Sequence, residues 1–232
     1  MRLCLNIFGL SVGFLAIGMS GCVTTPSLRL PVVLGLPMDK QISHTQPMGQ
    51  WPSPHSMGLL VYSDATGSDA SPAISVSMLS RLSQRTQSYI EKHCGVSALE
   101  IITTNTVSED LNFSSLLKVA KKHDLESLMI VLFSSTELSE AATFGEERMM
   151  TQMPGTTTHN SALVELAFVD VEKGSIEIQA HGEGRESLER LTVPIGTDQL
   201  TNETALDILR ANAGQQALDQ ALPEFTKGCR TS

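Results

Sequence analysis

Cys22 closes a short apolar run directly behind two small residues, Ser20 and Gly21, and its surroundings say most about chemistry. Arg2 gives the run a positive start, and residues 3–16 are mostly Leu, Ile, Phe, Val and Gly. That order predicts a cleaved secretory signal over residues 1–21, too short to cross a bilayer comfortably. Cys94 and Cys229 then remain for ordinary thiol chemistry. Outside the cytosol such a pair favours a disulfide over two buried free thiols, and neither belongs to a C-x-x-C redox motif.

Other chemical patterns are weaker. Gly9-Leu10-Ser11-Val12-Gly13 matches the G-x-S-x-G nucleophile pattern but lies inside the signal. The stretch Asp64-Ala65-Thr66-Gly67-Ser68-Asp69 joins a strand to a helix start, a common phosphate position. Its two aspartates would repel an anion, and the Gly and Lys of a P-loop are missing. Six histidines (His44, His55, His93, His123, His159 and His181) are scattered without metal-ligand spacing. No catalytic residue, metal or cofactor is called for. The segment Glu137 to Thr158 offers a different chemistry, mixing Glu137, Glu140, Glu146 and Glu147 with Phe144, Met149, Met150 and Met153. Clustered methionines suit an adaptable partner surface. The plainer reading is strand extensions plus a flap that buries them on the same domain.

Without residues 1–21 the chain keeps 211 of its 232 residues, and losing Arg2 takes the net charge from −9 to −10. That length supports one sizeable core plus a tether. A pI near 5.1 argues against nucleic acid, whose phosphates need clustered Lys and Arg. No later segment approaches 18 consecutive apolar residues. Residues 22–56 are rich in proline (Pro26, Pro31, Pro37, Pro47, Pro52, Pro54) and predict an extended tether reaching roughly 100 Å. Within it, Leu28-Arg29-Leu30-Pro31-Val32-Val33-Leu34 is apolar enough to dock on the head.

The globular domain spans 57–232. Residues 58–62 read as a buried strand, with Ser71 and Pro72 opening a helix whose apolar positions are Leu79, Leu82, Thr86, Tyr89 and Ile90 and whose stop is Gly95. A strand over 99–103 follows. The next helix carries Leu116, Leu117 and Ala120 on one face and Lys118, Lys121 and Lys122 on the other. Residues 128–133 form a continuous apolar strand, expected to be covered on both sides. A hairpin turns at Glu172-Lys173-Gly174, and His181-Gly182-Glu183-Gly184-Arg185 suggests a bulge or tight bend. Thr201 or Asn202 caps a last helix with the stripe Leu206, Leu209, Ala213, Ala217, Leu218, Ala221 and Phe225, interrupted by Pro223.

The order β-α-β-α-β-β-β-α predicts an α/β (α+β) fold: a single three-layer-like domain with a mixed sheet. Its first three strands are parallel through right-handed crossovers. Both cysteine-bearing helix ends then fall at the bottom of the sheet, so Cys94 and Cys229 meet if the helices share a face. The closed loop of over 130 residues would be worth roughly 4–5 kcal/mol at most.

Met19-Ser20-Gly21-Cys22 resembles the lipobox of bacterial lipoproteins, which implies diacylglyceryl attachment at Cys22. Val23, where Asp would favour the inner membrane, leans the expectation to the outer membrane, facing the periplasm. The passage Val119-Ala120-Lys121-Lys122-His123-Asp124-Leu125-Glu126-Ser127-Leu128-Met129-Ile130-Val131 and the hairpin Val169-Asp170-Val171-Glu172-Lys173-Gly174-Ser175-Ile176 are similar to the small α/β domain of envelope lipoproteins such as the curli secretion lipoprotein and the activators of penicillin-binding proteins. Pro154-Gly155 with Thr158-His159-Asn160-Ser161-Ala162-Leu163 resembles the central segment of rhombotarget-type lipoproteins, over most of residues 57–225. The C-terminal Gly-Gly sorting tail of that group is missing from Lys227-Gly228-Cys229-Arg230-Thr231-Ser232. The resemblance implies a membrane-anchored, non-catalytic factor that binds or positions another envelope protein. Two alternatives stand beside it: a homo-oligomeric ring subunit, and a hydrolase with a dispersed site near Asp64, Asp69 and Asn105.

Overall fold

Five strands and four helices make up the computed structural model, which describes residues 26–35, 56–66, 72–96, 99–106, 111–144, 153–191 and 199–227. A short helix α1 (Leu30–Val33) precedes β1 (Met57–Asp64), α2 (Val76–Cys94), β2 (Leu99–Thr106) and α3 (Phe113–Lys122). Then come β3 (Ser127–Phe144), β4 (Met153–Asp170), β5 (Ser175–Leu191) and α4 (Gln199–Thr226). The strand order is β2-β1-β3-β4-β5. β1 is parallel to β2 and β3, and the two later pairings are antiparallel. This is the expected mixed sheet, with α1 added ahead of it.

Side-chain alternation divides the sheet into two faces with separate cores. Leu59, Val61, Met129, Val131, Phe133, Val164, Leu166 and Phe168 pack under α2 and α4. Leu60, Tyr62, Leu128, Ile130, Leu132, Ala167 and Val169 pack under α1 and α3. β1 is buried at all eight positions, as a central strand covered on both sides must be.

The first long helix starts later than Ser71-Pro72 predicts. Ser75 is its N-cap and accepts from the Met78 amide, while its own amide donates to Asp207 of α4. One local bond and one long-range bond thus outweigh the intrinsic start signal of proline. The stop is as expected: Gly95 takes φ 65°, a left-handed position that glycine adopts without strain. α4 is already helical at Gln199, ahead of the expected caps, and runs through Pro223 to Thr226.

The His181–Arg185 segment corrects a sequence reading. β5 continues through it without a register shift. A β-carbon on Gly182 would lie 2.1 Å from the Ala217 carbonyl oxygen, and one on Gly184 would lie 2.0 Å from that of Ala213. The glycines let α4 approach the strand backbone, and Ala213, Ala217 and Ala221, all fully buried, form the matching seam on the helix. Close approach, not bending, is why a side chain is missing there.

Candidate functional site

Two constructions stand out from the layered body: a sheet arm and a clip that holds the N-terminal segment. β3 and β4 are 18 residues each and β5 is 17, against about 5–6 for a usual strand. β1 ends where Asp64 pairs with Ser134, yet β3 and β4 remain in register out to Phe144 and Met153. Beyond Ser135 the burial of β3 falls away. The segment that reads as a long connection is therefore mostly strand, a three-stranded arm past the end of β1.

The base of the arm is polar and locked. Glu137 accepts a 2.9 Å hydrogen bond from Arg210 Nε of α4, with both side chains largely buried. Ser139 and the fully buried Thr158 share a hydrogen bond, and Arg190 Nη2 donates to the Thr158 hydroxyl. The far end is apolar on the α1–α3 side. Phe144 lies against Gly155, whose β-carbon would fall 2.3 Å from the ring, and Leu191 is the register partner of Gly155 on β5. Met153 and Leu191 are 51% and 46% exposed. Among the expected partner residues, Phe144 and Met153 come together as a cross-strand pair, while Met149 and Met150 lie outside the described residues.

The clip is built around Glu165, the one acid in the apolar run of β4. Its side chain is fully buried on the α1–α3 face. Oε2 accepts from the backbone amides of Arg29 at 2.7 Å and Leu30 at 3.0 Å. Arg29 Nε donates to Asp64 Oδ2 at 2.9 Å, and its Nη2 donates to the Thr66 hydroxyl. Thr66 in turn donates its amide and hydroxyl to Asp64 Oδ1. Leu30 and Leu34 are 1% and 2% exposed in the core below α1, and the Leu34 carbonyl accepts from the Phe113 amide at the start of α3.

The two carboxyls of the clip are driven apart. Burial pushes Glu165 up to about 7, only partly offset by the Arg29 and Leu30 amides, and the nearby Asp64 charge adds to the rise. Burial also acts upward on Asp64, but the hydrogen bonds from Thr66 and Arg29 outweigh it and hold that carboxyl low. A separated acid pair has the form of an acid–base site. Here α1 seals it, and both Glu165 oxygens already accept backbone donors. The geometry is that of a clip. Of the residues named for a dispersed hydrolase, Asp64 is in this clip, Asn105 falls on β2, and Asp69 lies outside the described residues. Among the described residues no group of three His, Cys, Asp or Glu could hold a metal ion.

Sequence reasoning singled out Asp64 for another role and passed over Arg29 and Glu165. The signal was there: a lone glutamate at the centre of Leu163-Val164-Glu165-Leu166-Ala167 has to find a donor when buried. The fold also settles the outer edge of the sheet near β5. Gln220 Oε1 accepts from the Glu183 amide and Gln216 Oε1 from the Arg185 amide, so α4 covers two edge donors that would otherwise template strand pairing. Cys94 ends α2 and packs on the same core as Phe225 of α4. Cys22 and Cys229 lie outside the described residues.

No protein-family model matches the sequence, and no curated protein matches it. Solved structures with a similar chain path include a neuraminyllactose-binding hemagglutinin homolog from Helicobacter pylori. It is 10% identical with a TM-score of 0.36, covering 81% of this chain and 90% of that one. The PelC dodecamer from Paraburkholderia phytofirmans is 9% identical with a TM-score of 0.34, covering 80% and 96%. Lipoprotein GNA1162 from Neisseria meningitidis is 12% identical with a TM-score of 0.32, covering 66% and 94%. The likeness to these structures is distant. At these scores the likeness carries no function.

Proposed function

We propose that this chain is a lipoprotein of the bacterial envelope, anchored through Cys22 at the outer membrane and facing the periplasm, whose head binds or positions another envelope protein without catalysis. The rhombotarget-type likeness of the sequence belongs to this reading. The observation that carries it is the arm: three paired strands past the end of β1 with Phe144, Met153 and Leu191 at the apolar end and a hydrogen-bonded polar base. Large side chains on a pre-formed support lose little entropy on binding, which is what a partner surface requires. Met149 and Met150 between β3 and β4 belong to the same proposal. A disulfide between Cys94 and Cys229 is part of it too, supported by α2 and α4 sharing one face.

The test is crosslinking in intact cells with the wild-type chain, a Cys22→Ala control, and a variant carrying Ser at Met149, Met150 and Met153. A captured envelope protein that is lost in both variants supports the reading. Capture unchanged by the methionine replacements removes the arm from it.

A further inference from the structure

We propose that the α1–α3 side of the head is a docking face for the anionic leaflet that carries the Cys22 lipid; this rests on the anchor reading above. The first observation is length. The clip fixes the chain at Arg29, only seven residues after Cys22. At about 3.5 Å per residue that leaves at most about 25 Å between the lipid attachment and α1. The proline-rich tether is therefore not a spacer along its full length. A head held this closely by its α1 side keeps that side nearest the lipid attachment.

The second observation is charge. Helix α3 contains Lys118, Lys121 and Lys122 and no acidic residue, in a chain of net charge −9. All three lysines are exposed and lie opposite Leu116 and Ala120, which are buried on the sheet. They therefore point outward from the same face that α1 covers. The third observation is apolar exposure on the same face: Val32 is 63% exposed, opposite the buried Leu30 and Leu34, and Leu28 is 37% exposed. Lysines around a small apolar ridge suit phosphate headgroups over an acyl boundary.

The acids on this side are placed where they interfere least. Asp124 and Glu126 follow the end of α3, and Glu100 faces His123 at 4.0 Å at that rim. Glu140 on β3 and Glu183 and Glu189 on β5 share the face, but they sit in the sheet layer, about 10 Å deeper than the outer surface of the helices. That distance exceeds a Debye length at physiological salt.

The experiment uses the acylated full chain in vesicles of phosphatidylethanolamine with 30% phosphatidylglycerol, or with neutral phosphatidylcholine in its place. A Val32→Trp replacement reports depth through quenching by brominated lipid, read against the parent chain and its single Trp51. Flotation with the vesicles reports the anchor independently. Quenching is expected in anionic vesicles, with a fall to background in neutral ones. Replacing Lys118, Lys121 and Lys122 by Gln should lower the ratio of facing to averted heads by about a hundredfold, with flotation unchanged. Floating protein without quenching, or quenching that survives the three replacements, overturns the docking face. Protein that does not float overturns the anchor and the docking face together.

Discussion

Glu165→Gln isolates the clip by removing one charge and almost no volume. In the native state the carboxyl titrates at about 7, against 4.5 for the ordinary group, with burial as the chief cause. The folded protein therefore binds more protons than the unfolded chain between these values, and stability must fall as pH rises through that window. The contribution is complete below about 4.5 and lost above about 7. At 1.36 kcal/mol per unit, the linkage relation gives a loss of about 2.5 kcal/mol between pH 5 and pH 8. Glutamine mimics the protonated side chain, still accepts from the Arg29 and Leu30 amides, and cannot ionise. Urea unfolding at the two pH values, followed by circular dichroism, should show the wild type losing about that much more than the variant. Asp64, whose charge is coupled to Glu165, is held low and stays ionised across this range, so it drops out of the difference. Equal losses in the two would refute a buried, charge-averse Glu165 and with it the account of how α1 is held.

Further expectations concern α4. Gly184→Ala should destabilise the fold by about 3 kcal/mol, because its new methyl group meets the Ala213 carbonyl oxygen, a backbone atom that cannot turn aside; an unchanged urea midpoint would contradict the seam. Reduction of a Cys94–Cys229 bridge should lower stability by up to about 4–5 kcal/mol. Mass mapping of non-reduced protein should find no alkylatable thiol at either position, and finding two would exclude the bridge.

The layered body was legible because each of its elements carries a local signal. Residues 128–133 form the unbroken apolar run expected of a strand covered on both sides, and Gly95 stands where a glycine stops a helix. The arm was harder, because Thr136 to Phe144 and Met153 to Thr158 lack the alternation of a half-buried strand. Their extension is imposed by pairing along β3, β4 and β5, a long-range cause that no window of sequence contains. The glycines of β5 were visible but ambiguous. A bend and a close helix crossing both require a missing side chain, and only the position of Ala213 and Ala217 decides between them. The clip fell between these cases. Arg29, Asp64 and Glu165 are separated by up to 136 residues, so each could be read as out of place while their meeting could not be foreseen.

The position of α1 also changes what counts as the smallest piece able to fold. Residues 36–56 bridge two parts that already touch: Leu30 and Leu34 in one core, and the strand that begins at Met57. A protease cutting within that bridge would break the chain without by itself parting its fragments, since burial, the Arg29–Asp64 pair and the two amide bonds to Glu165 would still join them. An expression boundary drawn at Met57, by contrast, would leave an acid at the centre of β4 facing water across an apolar surface. The short stretch around α1 is thus a part of the head rather than its leash, and parting the two would take two events, a cut in the chain and release of the clip, where a simple leash needs one.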